Sequence, residues 1–402
     1  MQTVFRELEG KSSTYYGLLG GLGLLALLGL FAAYQMEHHG HIITGMTNQV
    51  VWGIPHVFAV FLIVAASGVL NVASIATVFG KQFYKPLAPL SALLAIALLA
   101  GGLMVLMLDL GRADRLIVAM THYNFKSVFA WNVFLYTGFF TLSAIYIWTM
   151  MDRKVAAFNK PVGFAAFFWR LSLTTGTGSI FGFLVARQAY DTALLAPMFI
   201  IMSFCYGLAV YLLVLMAAYS WSKRPLGDLV IRRLKNLLGV FIAAVLYFVA
   251  VYHLTNFYFT RQHEFERFIL LDGGIYTLLF WIGQILLGGV VPLILLYAPA
   301  TRQSRSAIAS ACLLVVLGGL AQMYVTIIGG QAFPLQMFPG MIESSSFFDG
   351  VIHPYVPSLP ETLLGLGGVA VAGAMVVFAI KILRFLPESL DDPAVTLSHK
   401  AD

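Results

Sequence analysis

The chain has 402 residues, 60% of them hydrophobic and 10% charged, with a mean hydropathy of +0.86. A soluble domain carries about 25% charged residues, so this composition excludes a soluble globular protein and describes a polytopic membrane protein. The net charge of +6 resides in short loops between apolar runs, which argues for orientation in a lipid bilayer and against nucleic acid as a partner.

Residues 1–14 are polar. The first apolar run, Tyr16 to Tyr34, follows Arg6 and Lys11. It exceeds the roughly 7–15 residues of a signal-peptide core, so a retained helix is expected. Nine further runs of about 20 residues, the length a bilayer requires, cover 55–79, 87–109, 128–150, 171–187, 196–218, 237–257, 275–298, 306–328 and 361–384. The pattern predicts an all-α fold of ten transmembrane helices forming a single integral membrane domain over 1–402, with both termini on one side. The fifth run is Thr/Gly-rich (LTTGTGS) and the least clearly marked, with Arg170 either before it, on the richer side of the charge count, or at its start. A loose internal echo relates the second and sixth runs. Each begins at a proline, Pro55 or Pro197, and carries a glycine deeper in. It suggests two four-helix bundles, spans 2–5 and 6–9, flanked by spans 1 and 10.

The 24 Lys and Arg residues divide 18 to 6 between the two sides. By the positive-inside rule the richer side, which holds both termini, is cytoplasmic, and a bacterial inner membrane is the expected location. Two loops on the other side, 35–51 and 329–360, carry no Lys or Arg. The second is long, apolar in part and rich in proline. Loops of this length are commonly functional, and a docking surface is expected there. Cys205 and Cys312 lie inside apolar runs and suffice neither for an iron–sulfur cluster, which takes four thiolates, nor for an evident disulfide.

An ionisable group inside a membrane is a functional hypothesis by default. His56, Asp109, Arg112, Arg115, Trp131 and Asn132 collect at one depth, at the non-cytoplasmic ends of spans 2 to 4. His253 and Asn256 share a face near the same end of span 7, Gln284 and Gln322 lie in the same half, and Asn71 stands alone in the other half. Structural explanations exist for each. His56 after Pro55 could satisfy a helix start, Asp109 could pair with Arg112, Trp131 could anchor to headgroups, and the amides could be interhelical glue. The cluster His38, His39 and His41 sits in a polar loop, and no metal is expected there. With His56 and His253 as the histidines at membrane depth, at most one haem could be ligated, and none is expected. A lipid-soluble proton carrier, a quinone, suits the polar cluster best. Histidine can hydrogen-bond its carbonyl and exchange its proton near neutral pH, with Asp109 holding the imidazole or relaying the proton. His56 and Asp109 are the expected catalytic pair. The alternatives are a secondary transporter, which binds substrate near the midplane, and a proton-translocating subunit.

WGIPH at 52–56, the LDLGR-x-x-R end of span 3, the S-x-x-x-W-N start of span 4 and the LLAPMF start of span 6 resemble the NrfD/PsrC family of polysulfide-reductase membrane subunits. The ten-span layout is similar to its longer branch, most of all to the DsrP type of the DsrMKJOP sulfur-metabolism complex. The resemblance covers nearly the whole sequence. It implies a cofactor-free membrane subunit, without haem or iron–sulfur cluster. Such a subunit exchanges electrons between menaquinone or ubiquinone and an extracytoplasmic, ferredoxin-like iron–sulfur partner. It also implies that His56, Asp109, Arg112 and Arg115 occupy the family's quinone site. The sequence departs where many relatives have a histidine and Thr174 stands here. For the tyrosine near the quinone in some relatives, Tyr190 is the nearest counterpart.

Overall fold

Hydrocarbon offers no partner to a backbone N–H or C=O, so each crossing must close its own hydrogen bonds, and helices do this. The computed structural model describes residues 4–334 and 351–392. The long helices are α1 (Ser13–His39), α2 (Ile54–Thr77), α3 (Gln82–Leu108), α4 (Val128–Met151), α5 (Asn159–Gly182), α6 (Leu195–Ser222), α7 (Asp228–Tyr258), α8 (Ile275–Tyr297), α9 (Arg305–Ala332) and α10 (Leu359–Ile382). Among the described residues, nine of them, all but α5, are long and apolar enough to cross a membrane. The molecule is a multi-pass, all-α membrane protein.

Local chemistry sets the helix starts. Ser12, Ser127 and Ser304 accept the backbone N–H three residues on and cap α1, α4 and α9. At α10, Ser358 and Glu361 form a reciprocal capping box. Pro55 and Pro360 occupy the first helical turn, where no N–H partner is needed.

The helices α2, α3, α6 and α9 form the buried centre, while α1, α4 and α8 expose most of their apolar surface. A helix apolar all round is buried in protein or faces lipid, and both situations occur here. The second helix packs on α3, α6 and α10. The fourth packs on α5, α5 on α6, α8 on α9, and α1 on α10. The glycines of the sequence echo meet where α2 and α6 cross. A Cβ on Gly68 would lie 1.6 Å from the Ser203 carbonyl oxygen, and one on Gly207 2.2 Å from the Val69 nitrogen. No other residue permits so close an approach.

The two ends of the polypeptide meet. Arg6 N donates to Leu386 O at 3.0 Å, Glu388 N donates to Val4 O at 2.9 Å, and the Arg224 guanidinium reaches the carbonyls of Arg6 and Glu7. We call this the terminal end of the bundle. The His56 region lies at the opposite end. Residues 335–350, which carry most of the loop expected to dock a partner, lie outside the described residues.

The structure corrects the start of the fifth helix. It begins at Asn159, with Pro161 in its first turn, so Arg170 is half-way along it and fully buried. A hydropathy reading puts such a charge in a loop, and Arg170 therefore leaves the tally of cytoplasmic cations. Its Nη2 donates to Asn71 Oδ1 at 2.9 Å, its Cζ lies 4.8 Å and 5.1 Å from the Phe167 and Phe204 ring centres, and Nε and Nη1 have no partner. The hydroxyls of Thr174, Thr175, Thr177 and Ser179 donate to carbonyls one turn back, which hides them from lipid.

Asn71→Leu removes the guanidinium's side-chain acceptor and should cost about 1–3 kcal/mol. Adding Arg170→Met should recover most of that, because an apolar replacement of a buried polar pair is often neutral. Denaturant unfolding of the two variants in detergent checks this. Additive losses would show that the two side chains do not act as a pair.

Candidate functional site

The start of α2 is bound at several points. Gln331 Oε1 accepts the backbone N–H of Val51 and of Trp52, both at 3.0 Å, and its Nε2 donates to Trp52 O and Ile327 O. Arg187 donates to Gln331 O at 2.9 Å and to Gln49 O at 2.8 Å. Tyr355 Oη accepts Ile54 N at 2.7 Å and donates to Glu361 Oε1 at 2.7 Å. The other Glu361 oxygen accepts Gly45 N and Ser358 N, both at 2.8 Å. Gly53 is required by this crowding: a Cβ there would lie 2.4 Å from Glu361 Oε1 and 2.6 Å from Tyr355 Oη. These contacts explain the local sequence WGIPH.

One turn into α2, His56 Nδ1 meets Asp109 Oδ2 at 2.7 Å. Asp109 caps the end of α3, and its side chain is 1% exposed against 16% for His56. Asp109 Oδ1 is buried without a partner. The Trp52 ring stacks beside His56 at 5.9 Å and touches Phe129 of α4 and Phe181 of α5. The pair thus sits in an aromatic setting, with the second edge of the imidazole partly open.

The remaining expected site residues separate from this pair. Arg112 does not pair with Asp109. The turn after Leu110 carries its guanidinium outward onto Asp114, at 3.0 Å for both nitrogens, and both side chains are exposed. The hydrogen bond from Arg112 holds the Asp114 carboxyl below its ordinary range. Arg115 is exposed as well. Trp131 is 43% exposed and donates to Phe125 O at 2.9 Å. It lines an open groove of about 630 Å³ between α4 and α5, with Lys126, Phe168 and Phe183. Asn132 is buried and donates to Val128 O and Gly176 O, tying α4 to α5, while its Oδ1 has no partner. Tyr190 donates to Ile327 O at 2.6 Å and packs on Phe181, in the same aromatic cluster as Trp52. His38 stacks on Tyr34 and His39 bonds Gln35 O. Among the described residues no three potential ligands gather as a metal site.

Sequence reasoning missed Gln331, Tyr355, Glu361 and Glu266. Glu361 had a readable signal, the S-x-x-E spacing of a capping box. Gln331 and Tyr355 had none, because each acts on a segment about 280 or 300 residues away.

These features define a class: an all-helical membrane protein with a histidine–carboxylate pair buried near one end of its bundle. Residues 43–335 match the family of polysulphide reductase, NrfD. The protein is 30% identical over 391 residues to the Hdr-like menaquinol oxidoreductase integral membrane subunit of Archaeoglobus fulgidus, a match that spans 96% of this sequence and 98% of that one. It is 24% identical to a subunit of the selenate reductase of Mesobacillus selenatarsenatis, over 87% and 90% of the two sequences. It is also 24% identical to one of the polypeptides of the polysulfide reductase of Wolinella succinogenes, over 71% and 96%. The protein belongs to the NrfD family of polysulphide reductase and related oxidoreductase membrane subunits.

Tyr355→Phe leaves Ile54 N and one Glu361 oxygen without their partner. The expected cost is about 1–3 kcal/mol per buried group, read as a lowered unfolding temperature of the purified protein. An unchanged temperature would mean that the α2 start is held by Gln331 alone.

Proposed function

We propose that this protein is the quinone-handling membrane subunit of a multi-subunit oxidoreductase. It exchanges electrons between the quinone pool and an adjacent iron–sulfur subunit docked at the end opposite the termini. The observation that carries the proposal is the His56–Asp109 pair. With Nδ1 directed to the carboxylate, Nε2 is left for a substrate, and Asp109 stabilises the imidazolium that forms when a proton arrives.

A quinol that becomes a quinone releases two electrons and two protons. The electrons go to the partner's cluster. His56 accepts a proton from one quinol hydroxyl at Nε2 and yields its Nδ1 proton to Asp109, which passes it on towards the near aqueous face; the proton of the other hydroxyl follows by the same route once His56 has regained its Nδ1–H form. Reduction of a quinone uses the same groups in reverse. Trp52 and Phe129 supply flat apolar walls for the ring. The groove beside Trp131, open between α4 and α5, supplies an approach from lipid for the isoprenoid tail. The names of the relatives, which include a menaquinol oxidoreductase and a polysulfide reductase, support the same reading. The contact between residues 4–7 and 386–388 and the Lys/Arg asymmetry support ten crossings with that end cytoplasmic. On this reading α5 crosses despite its lower hydropathy.

In the assembled complex, His56→Leu should lower quinol turnover at least about tenfold, the equivalent of about 1.4 kcal/mol, with every partner protein still bound. Sealed vesicles of known orientation should show redox protons exchanged at the end opposite the termini. Normal turnover in an intact His56→Leu complex would move the quinone away from α2. Protons drawn from the terminal side through this subunit would overturn the one-sided relay.

A further inference from the structure

A second histidine–carboxylate pair stands in the other half of the molecule. Glu266 lies in the short helical segment His263–Arg267 between α7 and α8 and is fully buried. His253 Nδ1 meets its Oε2 at 2.6 Å, and Asn256 Nδ2 donates to its Oε1 at 2.7 Å. The Phe280 ring stands edge-on to His253 at 4.8 Å. Both carboxylate oxygens are therefore held by side chains of α7, one of which can carry a proton.

Two small cavities lie inward of His253, which borders the first of them. One of about 40 Å³ is bordered by His253, Tyr252, Gln284 and Gln322. The other, of about 20 Å³, shares Gln284, Gln322 and Val249 with it and reaches Cys205, Tyr206 and Gly318, at mid-length of α6 and α9. A water needs roughly 10–15 Å³ of such space and two or more polar neighbours, so the two cavities together have room for about four waters. They are far too small for a quinone. The surrounding backbone is also unusual. Phe268–Asp272, Leu279–Val290 and Val325–Gly329 are π-helical, and Gln284 lies in the second of these. Such widened turns frequently mark functional positions.

The nearby titratable groups are engaged elsewhere or neutral. Arg261 pairs with Asp191 and Arg267 with Asp272 at the surface. His263 meets Phe257 O, and Tyr252 Oη donates to Ala189 O. The hydroxyl of Tyr276, from α8, is buried without a partner. Tyr324, from α9, packs against that ring. No lysine or arginine borders either cavity.

We infer that His253 and Glu266 form a second proton-exchanging site, separate from the His56–Asp109 pair, which opens inward on a short column of bound water reaching the middle of the membrane. The ligands it takes are a proton and water. His253, 15% exposed at its side chain, borders the larger cavity, and the fully buried Glu266, in the connection beyond α7, stands behind it. The Gln284 and Gln322 amides, with Tyr206 Oη bonded to Gln322 Oε1 at 2.5 Å, line the way inward.

The test uses the purified full-length protein in lipid nanodiscs, without quinone. A pH titration followed by infrared difference spectroscopy should show the carbonyl stretch of a protonated acid in a non-aqueous setting. The band should vanish in Glu266→Gln and persist in Asp109→Asn. If Glu266→Gln does not assemble, His253→Asn, which keeps a donor toward the carboxylate, should displace the same band. Hydroxyl-radical footprinting reads the water. Cys205 borders the inner cavity and Cys312, equally buried, does not. Cys205 should be modified and Cys312 spared, and Val249→Leu, which narrows both cavities, should lower the Cys205 signal at least about threefold. A titration with no Glu266-dependent band, or a Cys205 as inert as Cys312, overturns the inference and leaves the pair a structural clamp. Neither readout depends on quinone turnover.

Discussion

A carboxylate taken into a low-dielectric interior must find a proton, a cation or several hydrogen-bond donors, because the cost of leaving it alone is several kcal/mol. Among the described residues three acids are buried, Asp109, Glu266 and Glu361, and all three lie at the end of the bundle opposite the termini. Each is satisfied differently. Glu361 is met by two backbone N–H groups and a phenol, donors that do not give up their protons near neutral pH. It is a fastening between α10 and the start of α2. Asp109 and Glu266 are each met by an imidazole, which can change its charge without leaving its place. The same constraint thus yields one structural joint and two acid–base pairs, and the identity of the donor separates them.

The pairs hold their positions because the central helices cannot slide. Gly68 and Gly207 bring α2 and α6 into backbone contact, and any shift along either axis would drive a side chain into that crossing. Just beyond it, α2 is interrupted at Leu70. Ser91 of α3 repairs the interruption, donating to Val69 O at 2.8 Å and accepting from Ala73 N at 3.2 Å. In hydrocarbon such a repair is required. The resumed helix begins with Asn71, which meets Arg170. One glycine crossing therefore sets both the depth of His56 at one end of α2 and the partner of a buried cation farther along it.

The crossings were legible because a bilayer demands about 20 apolar residues and the sequence supplies them repeatedly. The pairing of His56 with Asp109 was legible because both sit at helix ends on one side of the bilayer. The Asp109–Arg112 ion pair, one structural explanation for that spacing, does not form: residues one turn apart on a continuing helix would share a face, but α3 ends at Leu108 and Arg112 turns to Asp114. Arg170 was counted outside the fifth helix for a different reason. A rule that keeps charge out of hydrocarbon starts the helix late, whereas aromatic rings and Asn71 accommodate the charge within it. Glu266 could not be found at all. It lies in HEFER, a stretch as polar as any surface loop, and its burial comes from the way that stretch folds back beneath α7 and α8.

The two acid–base pairs differ most in the space beside them. His56 and Asp109 stand among Trp52, Phe129 and Phe181, with a groove of about 630 Å³ near by between α4 and α5. The groove is lined by Trp131, Phe168 and Phe183, and Trp52, Phe129 and Phe181 form a separate aromatic cluster around His56. His253 borders a cavity of about 40 Å³, continued by one of about 20 Å³, and in their mostly apolar walls stand the Gln284 and Gln322 amides and the Tyr206 phenol. Neither space is large enough for a quinone ring. Similar histidine–carboxylate pairs therefore stand beside different spaces, because packing rather than the ionisable pair sets the size and polarity of what can approach. A protein that must move protons on and off a lipid-soluble carrier needs the first kind of site. The second kind needs no carrier: a proton on Glu266 would remove a charge whose burial is costly, and His253 links that carboxylate to a space large enough for water.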